Sequence, residues 1–297
     1  MSITVNSVSK SYKSQKALNN ISFSADKGQI IGFLGPNGAG KSTMMKIITG
    51  YIKPNSGEVF VDEIDVLKNP IAAQKVIGYL PEHNPLYTEM YVREYLQFHA
   101  AIYKVAKSQI EDCIEKVGLS LEVNKKIHQL SKGYQQRVGI AAAILHNPKV
   151  LILDEPTTGL DPNQIIEIRA LIQELGKNKT VLFSTHIMQE VEAVCDRVII
   201  IKKGEILVDK KLEELQDSKQ QIIEVTFNIS FDEVIFQKLS NLSSIKNTLD
   251  NNWQLTFSSD EDVRSKIFDL AQENNLKILG LTTQNKDLET FFREVTI

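Results

Sequence analysis

A glycine-rich stretch, GPNGAGKST from Gly35 to Thr43, follows an apolar run and precedes a segment with helical periodicity. One glycine, four intervening residues and Gly-Lys-Ser form the phosphate-loop pattern, in which backbone N–H groups surround a phosphate. A helix that begins near Lys41 directs its N-terminal dipole at the same anion, Lys41 adds charge for the outer phosphates, and Ser42 can bind Mg²⁺. The stretch therefore predicts a nucleoside triphosphate site, against the simpler alternative of a glycine-rich turn.

An acidic pair, Asp154-Glu155, stands at the end of the apolar run Val150–Leu153. An acidic residue at the end of a buried strand beside a phosphate loop meets Mg²⁺, so Asp154 is predicted to be the second metal anchor. Glu155 is positioned to face the γ-phosphate and to polarise an attacking water as a general base. The pair predicts hydrolysis, and a plain Asp-Glu-Pro turn closing a strand is the alternative.

Two further groups of residues carry weaker signals by themselves. Ser131 and Gly133 stand at the start of an apolar helical segment, where a serine hydroxyl and a glycine backbone form either an anion cradle or an ordinary helix cap. His186 follows an apolar run, a place where a lone histidine is usually structural. Neither group indicates a function without the two motifs above.

The spacing of apolar residues predicts strands that alternate with helices. Val150–Leu153 and Val198–Ile201 are apolar at every position, as parallel strands covered on both faces should be. The alternation favours an α/β nucleotide-binding core, interrupted by a mostly helical insertion at about residues 85–145. The predicted strands are Ile3–Val8, Ala17–Phe23, Ile30–Leu34, Glu58–Val61, Val76–Leu80, Val150–Leu153, Val181–Ser184 and Val198–Ile201, and the predicted helices are Lys41–Thr49, Val92–Ala106, Ser108–Val117, Gln135–Leu145, Gln164–Leu175 and Ile187–Val194.

A second domain is predicted after a polar segment at residues 213–220, which reads as a linker or a frayed helix end. Ile223, Val225, Phe227 and Ile229 alternate with polar residues, the pattern of a half-buried strand. The following pattern predicts helices at Phe231–Leu239, Asp260–Asn274 and Asp287–Val295, a hairpin of Ser244–Leu249 with Trp253–Phe257, and a strand at Leu276–Leu281. The order β-α-β-β-α-β-α fits a ferredoxin-like sandwich, and the absence of clustered catalytic residue types favours a docking or regulatory role.

Composition narrows the function classes. The chain has 297 residues and a formal net charge of −3, so nucleic acid is not an expected partner. Its two cysteines, Cys113 and Cys195, indicate neither a disulfide framework nor a zinc site. No apolar stretch approaches the roughly 18 residues that a membrane span needs, so a role at a membrane requires a partner.

With all of these motifs in order, residues 1 to about 215 resemble the ATP-binding subunits of ABC transporters. The matching stretches include Gly35–Thr43, Leu130–Tyr134 for the signature loop, Gly159–Asp161 for the D-loop, and Ser184–His186. The resemblance implies an ABC-type P-loop nucleotide-binding domain at 1–215 with an inserted helical subdomain at about 85–145. The strand and helix pattern described above predicts the small α+β ferredoxin-like accessory or regulatory domain that follows at 219–297.

The resemblance also implies a role for each matching residue. Tyr12 stacks on adenine, His186 contacts the γ-phosphate, and Asp161 belongs to the D-loop. Ser131 and Gly133 complete the ATP site of a second copy, so that two chains sandwich two ATP molecules head to tail. The implied contacts to phosphate and Mg²⁺ come from Gly35, Asn37, Gly38, Ala39, Gly40, Lys41, Ser42 and Thr43, with Asp154 at the metal.

Three positions depart from the family's pattern. Glu82 replaces the usual glutamine of the Q-loop; its carboxylate can accept a hydrogen bond from water and approach Mg²⁺, but it cannot donate. Lys132 replaces a glycine and Tyr134 a glutamine in the signature loop. Ser131 and Gly133 are unchanged, so hydrolysis is still expected.

More narrowly, GYLPEHNPLY, LSKGYQQRVGIAAAILHNPKVLILDEPTTGLDPNQ and STHIMQEVEAVCDRVIIIKKG are similar to the export-type branch, and within it to the gliding-motility-associated transporters of bacteria. The implied protein binds ATP and Mg²⁺, drives a separate transmembrane permease, and lies on the cytoplasmic face of the plasma membrane. The rival hypothesis is a soluble ABC ATPase that acts on ribosomes or DNA. One phosphate loop, no sustained heptad repeat and no basic block count against that rival.

Overall fold

The computed structural model describes residues 1–13, 15–216, 220–259 and 262–285. The chain divides into two compact units, Met1–Leu212 and Glu213–Ile297, each considered by itself. The strands of the first unit are β1 (Ile3–Tyr12), β2 (Gln15–Ala25), β3 (Ile30–Leu34), β4 (Ser56–Val61), β5 (Ile64–Asp65), β6 (Ile77–Leu80), β7 (Val150–Asp154), β8 (Thr180–Thr185), β9 (Arg197–Lys202) and β10 (Glu205–Lys211). Its helices are α1 (Lys41–Ile48), α2 (Pro70–Val76), α3 (Val92–Tyr103), α4 (Lys107–Lys116), α5 (Lys132–Ile144), α6 (Pro162–Gly176) and α7 (Met188–Val194).

The central sheet of the first unit has the order β10-β9-β3-β8-β7-β6. Strands β9, β3, β8, β7 and β6 are parallel, and β10 joins the edge antiparallel to β9. In β3, β7 and β8 every residue is buried, as strands covered on both faces require, and the polar residues of β7 and β8 lie at the strand ends. Because these strands are parallel neighbours, their carboxyl ends lie at one edge, which is the usual place for a ligand site in such sheets.

A second sheet, in the order β2-β1-β4-β5, is antiparallel. One hydrophobic core joins residues of this sheet, of α1 and of the central sheet. The glycine-rich loop between β3 and α1 is thus anchored by an apolar strand before it and a buried helix after it.

Helices α3, α4 and α5 account for most of the stretch at residues 85–145, and their apolar faces share a core with α6 and the central sheet. Helix α5 begins at Lys132, three residues before its predicted start, because the Ser131 hydroxyl caps it by accepting from the backbone N–H of Tyr134. Helix α3 ends at Tyr103 because Lys104 adopts a left-handed backbone conformation, with φ of 56°.

The second unit contains α8 (Leu212–Gln216), which extends from the last residue of the first unit, β11 (Gln220–Phe227), a 3₁₀ helix (Glu233–Lys238), β12 (Leu242–Leu249), β13 (Asn252–Ser258), α9 (Arg264–Glu273) and β14 (Ile278–Asn285). Its sheet has the antiparallel order β12-β13-β11-β14, which is the ferredoxin-like arrangement. A separate core fills the space between this sheet and its helices. The predicted helix at 231–239 is a shorter 3₁₀ helix, and the one predicted at 287–295 lies outside the described residues.

Candidate ATP-binding and hydrolysis site

The glycine-rich loop has a backbone that only glycine suits at its critical positions. Gly38 and Gly40 have φ of 80° and 114°, and a Cβ on Gly40 would lie 2.6 Å from the carbonyl oxygen of Ala17. Gly40 is the N-cap of α1, and no side chain caps this fully described helix. Its first N–H groups therefore remain available to an anion.

Not every predicted phosphate contact in the loop offers a free donor. The N–H of Gly35 donates to the carbonyl oxygen of Thr185 at 3.3 Å, and that of Ala39 donates to Pro36 at 3.1 Å. A Cβ on Gly35 would lie 2.4 Å from the carbonyl oxygen of Ile201. In this arrangement Gly35 and Ala39 shape the loop, and neither presents its N–H to a ligand.

Lys41 extends back into the loop from the first turn of α1. Its Nζ donates to the carbonyl oxygens of Gly35 at 2.7 Å and Pro36 at 3.3 Å. The same Nζ lies 3.2 Å from Oε1 of Glu155, and both side chains are buried. The lysine charge is thus placed between the loop and the predicted base.

Ser42 and Asp154 form an oxygen pair that fits Mg²⁺. The Ser42 hydroxyl donates to Oδ1 of Asp154 at 3.1 Å, and the Ser184 hydroxyl donates to the same oxygen at 2.5 Å. Burial raises the pKa of Asp154, and the two serine hydrogen bonds counteract that shift. The described residues contain no cluster of three or more His, Cys, Asp or Glu side chains that could hold a metal alone. Mg²⁺ is typically held by one or two carboxylates together with substrate phosphates, which is the donor set that this pair provides.

Glu155 lies between Lys41 and His186. Its Oε2 is 2.9 Å from Nδ1 of His186 and also accepts from the Thr158 hydroxyl at 3.3 Å. The backbone of Glu155 is left-handed, with φ of 49°, and its N–H is held by the carbonyl and hydroxyl oxygens of Ser184. Such a conformation persists in a non-glycine residue only where the surroundings fix it. The carboxylate is therefore aimed by its backbone as well as by its partners.

A polar cavity of about 370 Å³ opens beside these groups. Tyr12, which is half exposed, and Glu82 lie on its wall together with the loop and Glu155. The residues that line it are Tyr12, Gln15, Ala17, Asn37, Gly38, Gly40, Lys41, Ser42, Thr43, Glu82 and Glu155. An aromatic ring, a phosphate-binding loop and two carboxylates thus face one space.

Ser131, Gly133 and Asp161 gather elsewhere, around Gln164. Asp161 caps α6 by accepting from the Gln164 N–H at 2.9 Å, and the Gln164 amide lies 3.5 Å from the Ser131 hydroxyl. A Cβ on Gly133 would lie 2.6 Å from the Gln164 side chain. None of the three is among the described residues that line the 370 Å³ cavity. Sequence reasoning missed Gln164, although its place three residues after the helix cap Asp161 is a capping-box signal.

Sequence reasoning also missed a buried carboxylate, Glu190 on α7. It is 1% exposed and accepts hydrogen bonds from the hydroxyls of Thr157 and Thr185. The signal was its position, three residues after Ile187 and four before Val194, on the apolar face of a predicted helix. A charged residue at such a position is buried and therefore needs partners.

The comparisons with known proteins agree with this geometry. A sequence model of the family described as ABC transporter matches residues 18–158. The bacitracin transport ATP-binding protein BcrA of Bacillus licheniformis is 33% identical over 98% of this chain and 95% of its own length. The chain belongs to the ABC transporter ATP-binding proteins. The linearmycin resistance ATP-binding protein LnrL of Bacillus subtilis is 32% identical to this ABC protein over 97% of the chain and 96% of its own length.

A solved structure extends the comparison to the chemistry. A dimeric ATP-binding cassette in a post-hydrolysis state bound to ADP and Pi has a TM-score of 0.65 and 30% identity to this ABC protein, covering 71% of this chain and 98% of that one. The predicted fold class is confirmed, and the chain is an ABC-type ATPase that binds ATP. No helix among the described residues has both the length and the apolar character needed to cross a bilayer.

Proposed function

We propose that this ABC protein energises an exporter by binding ATP with Mg²⁺, dimerising on it and hydrolysing it. The observation that carries the proposal is the placement of the Glu155 carboxylate, 3.2 Å from Lys41 Nζ and 2.9 Å from His186 Nδ1, on the wall of the cavity that the glycine-rich loop lines. A carboxylate between a lysine and a histidine at the phosphate end of such a cavity is placed to accept a proton from water.

Each residue in the cavity has a proposed part. Tyr12 stacks on the adenine, the loop with Lys41 binds the outer phosphates, and Ser42 with Asp154 holds Mg²⁺. When bound, Mg²⁺ supplies charge that stabilises the transferring phosphoryl group. Glu155 accepts the proton of the attacking water, and His186 orients Glu155 and contacts the γ-phosphate. Glu82, at the cavity wall, accepts from water near the metal.

A second copy of the chain is proposed to complete each site. Ser131, Gly133 and Asp161 cluster around Gln164 and do not line the described cavity, so a contact between them and ATP would be with a nucleotide held by another copy. The serine caps the N-terminus of a 13-residue helix, and the N-terminus of a helix attracts a phosphate. The dimeric cassette with ADP and Pi supports this arrangement by similarity.

The membrane partner is proposed to dock beside Glu82. A second cavity of about 270 Å³ is lined by Leu80 and Pro81, which directly precede Glu82, and by an aromatic wall that includes Tyr95, His99 and Tyr103. The exposed aromatic rings of Tyr87 and Phe98 contact the rings of Tyr95 and His99 and extend this apolar surface. An exposed apolar patch of this kind is typical of a binding site for another protein. We infer that a cytoplasmic segment of a separate permease covers this surface, on the cytoplasmic face of the plasma membrane.

The cargo is proposed at the level of a class. BcrA is named for bacitracin transport and LnrL for linearmycin resistance, so relatives that match nearly the whole chain support export of antibiotic-like compounds. The narrower assignment to gliding motility rests on the similarity of the three motif stretches quoted above together with the C-terminal domain, and it stays a proposal.

The decisive experiment is Glu155→Gln, with Glu115→Gln on the exposed surface of α4 as a control for the chemical change. Because glutamine keeps the shape but cannot accept the proton, we expect unchanged ATP binding and a loss of phosphate release of about 10²-fold or more. The ATP-bound dimer should accumulate, measured by sedimentation velocity. Undiminished hydrolysis in Glu155→Gln would refute the assignment of the base.

A further inference from the structure

Glu190 joins two segments that carry the reacting groups. It lies on α7 with 1% of its surface exposed, and each of its carboxylate oxygens accepts a different threonine hydroxyl. Thr157 donates to Oε1, and Thr185 donates to Oε2 at 2.5 Å. Both threonines are also buried. The arrangement is a two-point bridge between the loop after β7 and the end of β8.

The two threonines of the bridge lie next to the proposed reacting residues in the sequence. Thr157 lies two residues after Glu155, and Thr185 directly precedes His186. Thr185 Oγ1 also accepts from the N–H of Ile187, so its hydroxyl is held in one orientation from both sides. The bridge therefore ties the chain just after Glu155 to the chain just before His186.

A carboxylate is a costly group to bury for packing alone. Burying a charged group is unfavourable unless hydrogen bonds replace its water, and removing one partner leaves the other unsatisfied. An apolar side chain at this position would avoid burying a charge, but it would leave the hydroxyls of Thr157 and Thr185 without their acceptor. The function that justifies a carboxylate is its ability to accept from two separate segments at once.

We propose that Glu190 is a positioning residue, which keeps Glu155 and His186 at hydrogen-bond distance by tying Thr157 to Thr185. This inference rests on the proposed hydrolytic role of Glu155. The backbone of Glu155 is left-handed, with φ of 49°, and such a conformation depends on its surroundings. The direction of its carboxylate therefore depends on the loop that follows, which Glu190 holds through Thr157. Glu190 is not among the described residues that line the 370 Å³ cavity, so its proposed effect is exerted through Thr157 and Thr185.

The test compares two threonine-to-valine variants in the full-length chain. Thr157→Val removes a hydroxyl from the bridge but keeps the side-chain shape. Thr180→Val makes the same change at the opposite end of β8, where the Thr180 hydroxyl is equally buried and bonds to Ser2 and Asp26. Steady-state ATP hydrolysis gives kcat and KM, and a thermal melt gives the stability of each variant.

We expect Thr157→Val to lower kcat by roughly 10- to 100-fold with an unchanged KM for ATP, because a small misplacement of a reacting group has an effect of that order. Thr180→Val should lower the melting temperature at least as much while keeping the wild-type kcat. Glu190→Gln should retain more activity than Glu190→Ala, since a glutamine amide can still bond to both hydroxyls. A loss of kcat in Thr157→Val but not in the equally destabilised Thr180→Val would distinguish a positioning role from a general loss of stability.

Two results would count against the inference, and they are distinguishable. If Thr157→Val hydrolyses ATP at the wild-type kcat, or if Thr180→Val loses as much kcat as Thr157→Val, Glu190 has no positioning role. If the wild-type chain binds ATP and releases no phosphate, the proposed hydrolytic function fails, and the positioning role fails with it.

Discussion

At the scale of single residues, Lys41 has a place that few lysines occupy. It is 5% exposed, and its Nζ contacts two loop carbonyl oxygens and the Glu155 carboxylate. A buried ammonium is stable only with such partners. An incoming phosphate offers the same ammonium stronger, charge-assisted hydrogen bonds, so the lysine is already oriented for the ligand.

Lys41→Ala should therefore abolish measurable ATP binding at concentrations that saturate the wild type. The physical reason is twofold: the loop loses its positive charge, and the buried Glu155 carboxylate loses its lysine partner. Lys46→Ala, in the last turn of the same helix, is the control and should bind normally. Equilibrium dialysis with labelled ATP measures both, and full binding by Lys41→Ala would contradict the proposed role of the loop.

Some site residues could be predicted from the sequence and others could not. The loop glycines, Lys41 and Asp154 were predictable because local spacing fixes both the backbone and the direction of the side chain. Glu190 and Gln164 were not predicted, because one contact of each comes from a distant segment, Thr157 for Glu190 and Ser131 for Gln164. The finding that the N–H groups of Gly35 and Ala39 are already bonded also depends on the folded loop.

At the scale of elements, burial explains which predictions held. Strands β3, β7, β8 and β9 match their predicted bounds within one residue at each end, since the apolar run of each strand is buried. Strand β10 was not predicted, because it is mostly exposed and its identity comes from pairing with β9. The short helix α2 was also missed, and its last residue, Val76, was assigned to the strand that follows.

The loop after α5 carries a titratable group whose effect on stability has a definite sign. The ring of His146 stacks on Tyr103 with centroids 4.0 Å apart, and its Nε2 lies 3.0 Å from the carbonyl oxygen of Ile77. Burial lowers the pKa of His146. As pH falls through the unfolded-state value of about 6.5, the unfolded chain takes up the proton first, so the folded state loses stability.

His146→Gln should therefore reduce the loss of stability between about pH 7.5 and 5. Burial also lowers the pKa of His99, so part of the dependence should remain in the variant. His83→Gln, at an exposed position, should keep the wild-type dependence. The urea midpoint at both pH values measures the effect, and equal pH dependence in wild type and His146→Gln would show that His146 does not contribute.

At the scale of the whole molecule, the second unit has a core of its own and a complete four-stranded sheet. The described residues that line the proposed nucleotide cavity belong to the first unit. The relatives BcrA and LnrL nevertheless match nearly the whole length of this chain. Because the second unit has a core and a sheet of its own, we propose that it serves dimerisation or docking.

Deletion of residues 219–297 should leave ATP binding intact and weaken either dimerisation or capture of the membrane partner. The measurement is a detergent pull-down from native membranes with the full chain and with the truncated chain as baits, alongside sedimentation with ATP. A polytopic membrane protein recovered by the full chain would support the transporter, whereas ribosomes, DNA-bound factors or nothing would favour the rival class. If the truncated chain dimerises and recovers the same protein equally well, the second unit is needed neither for dimerisation nor for docking. The surface around the 270 Å³ cavity beside Glu82 would then be sufficient for docking.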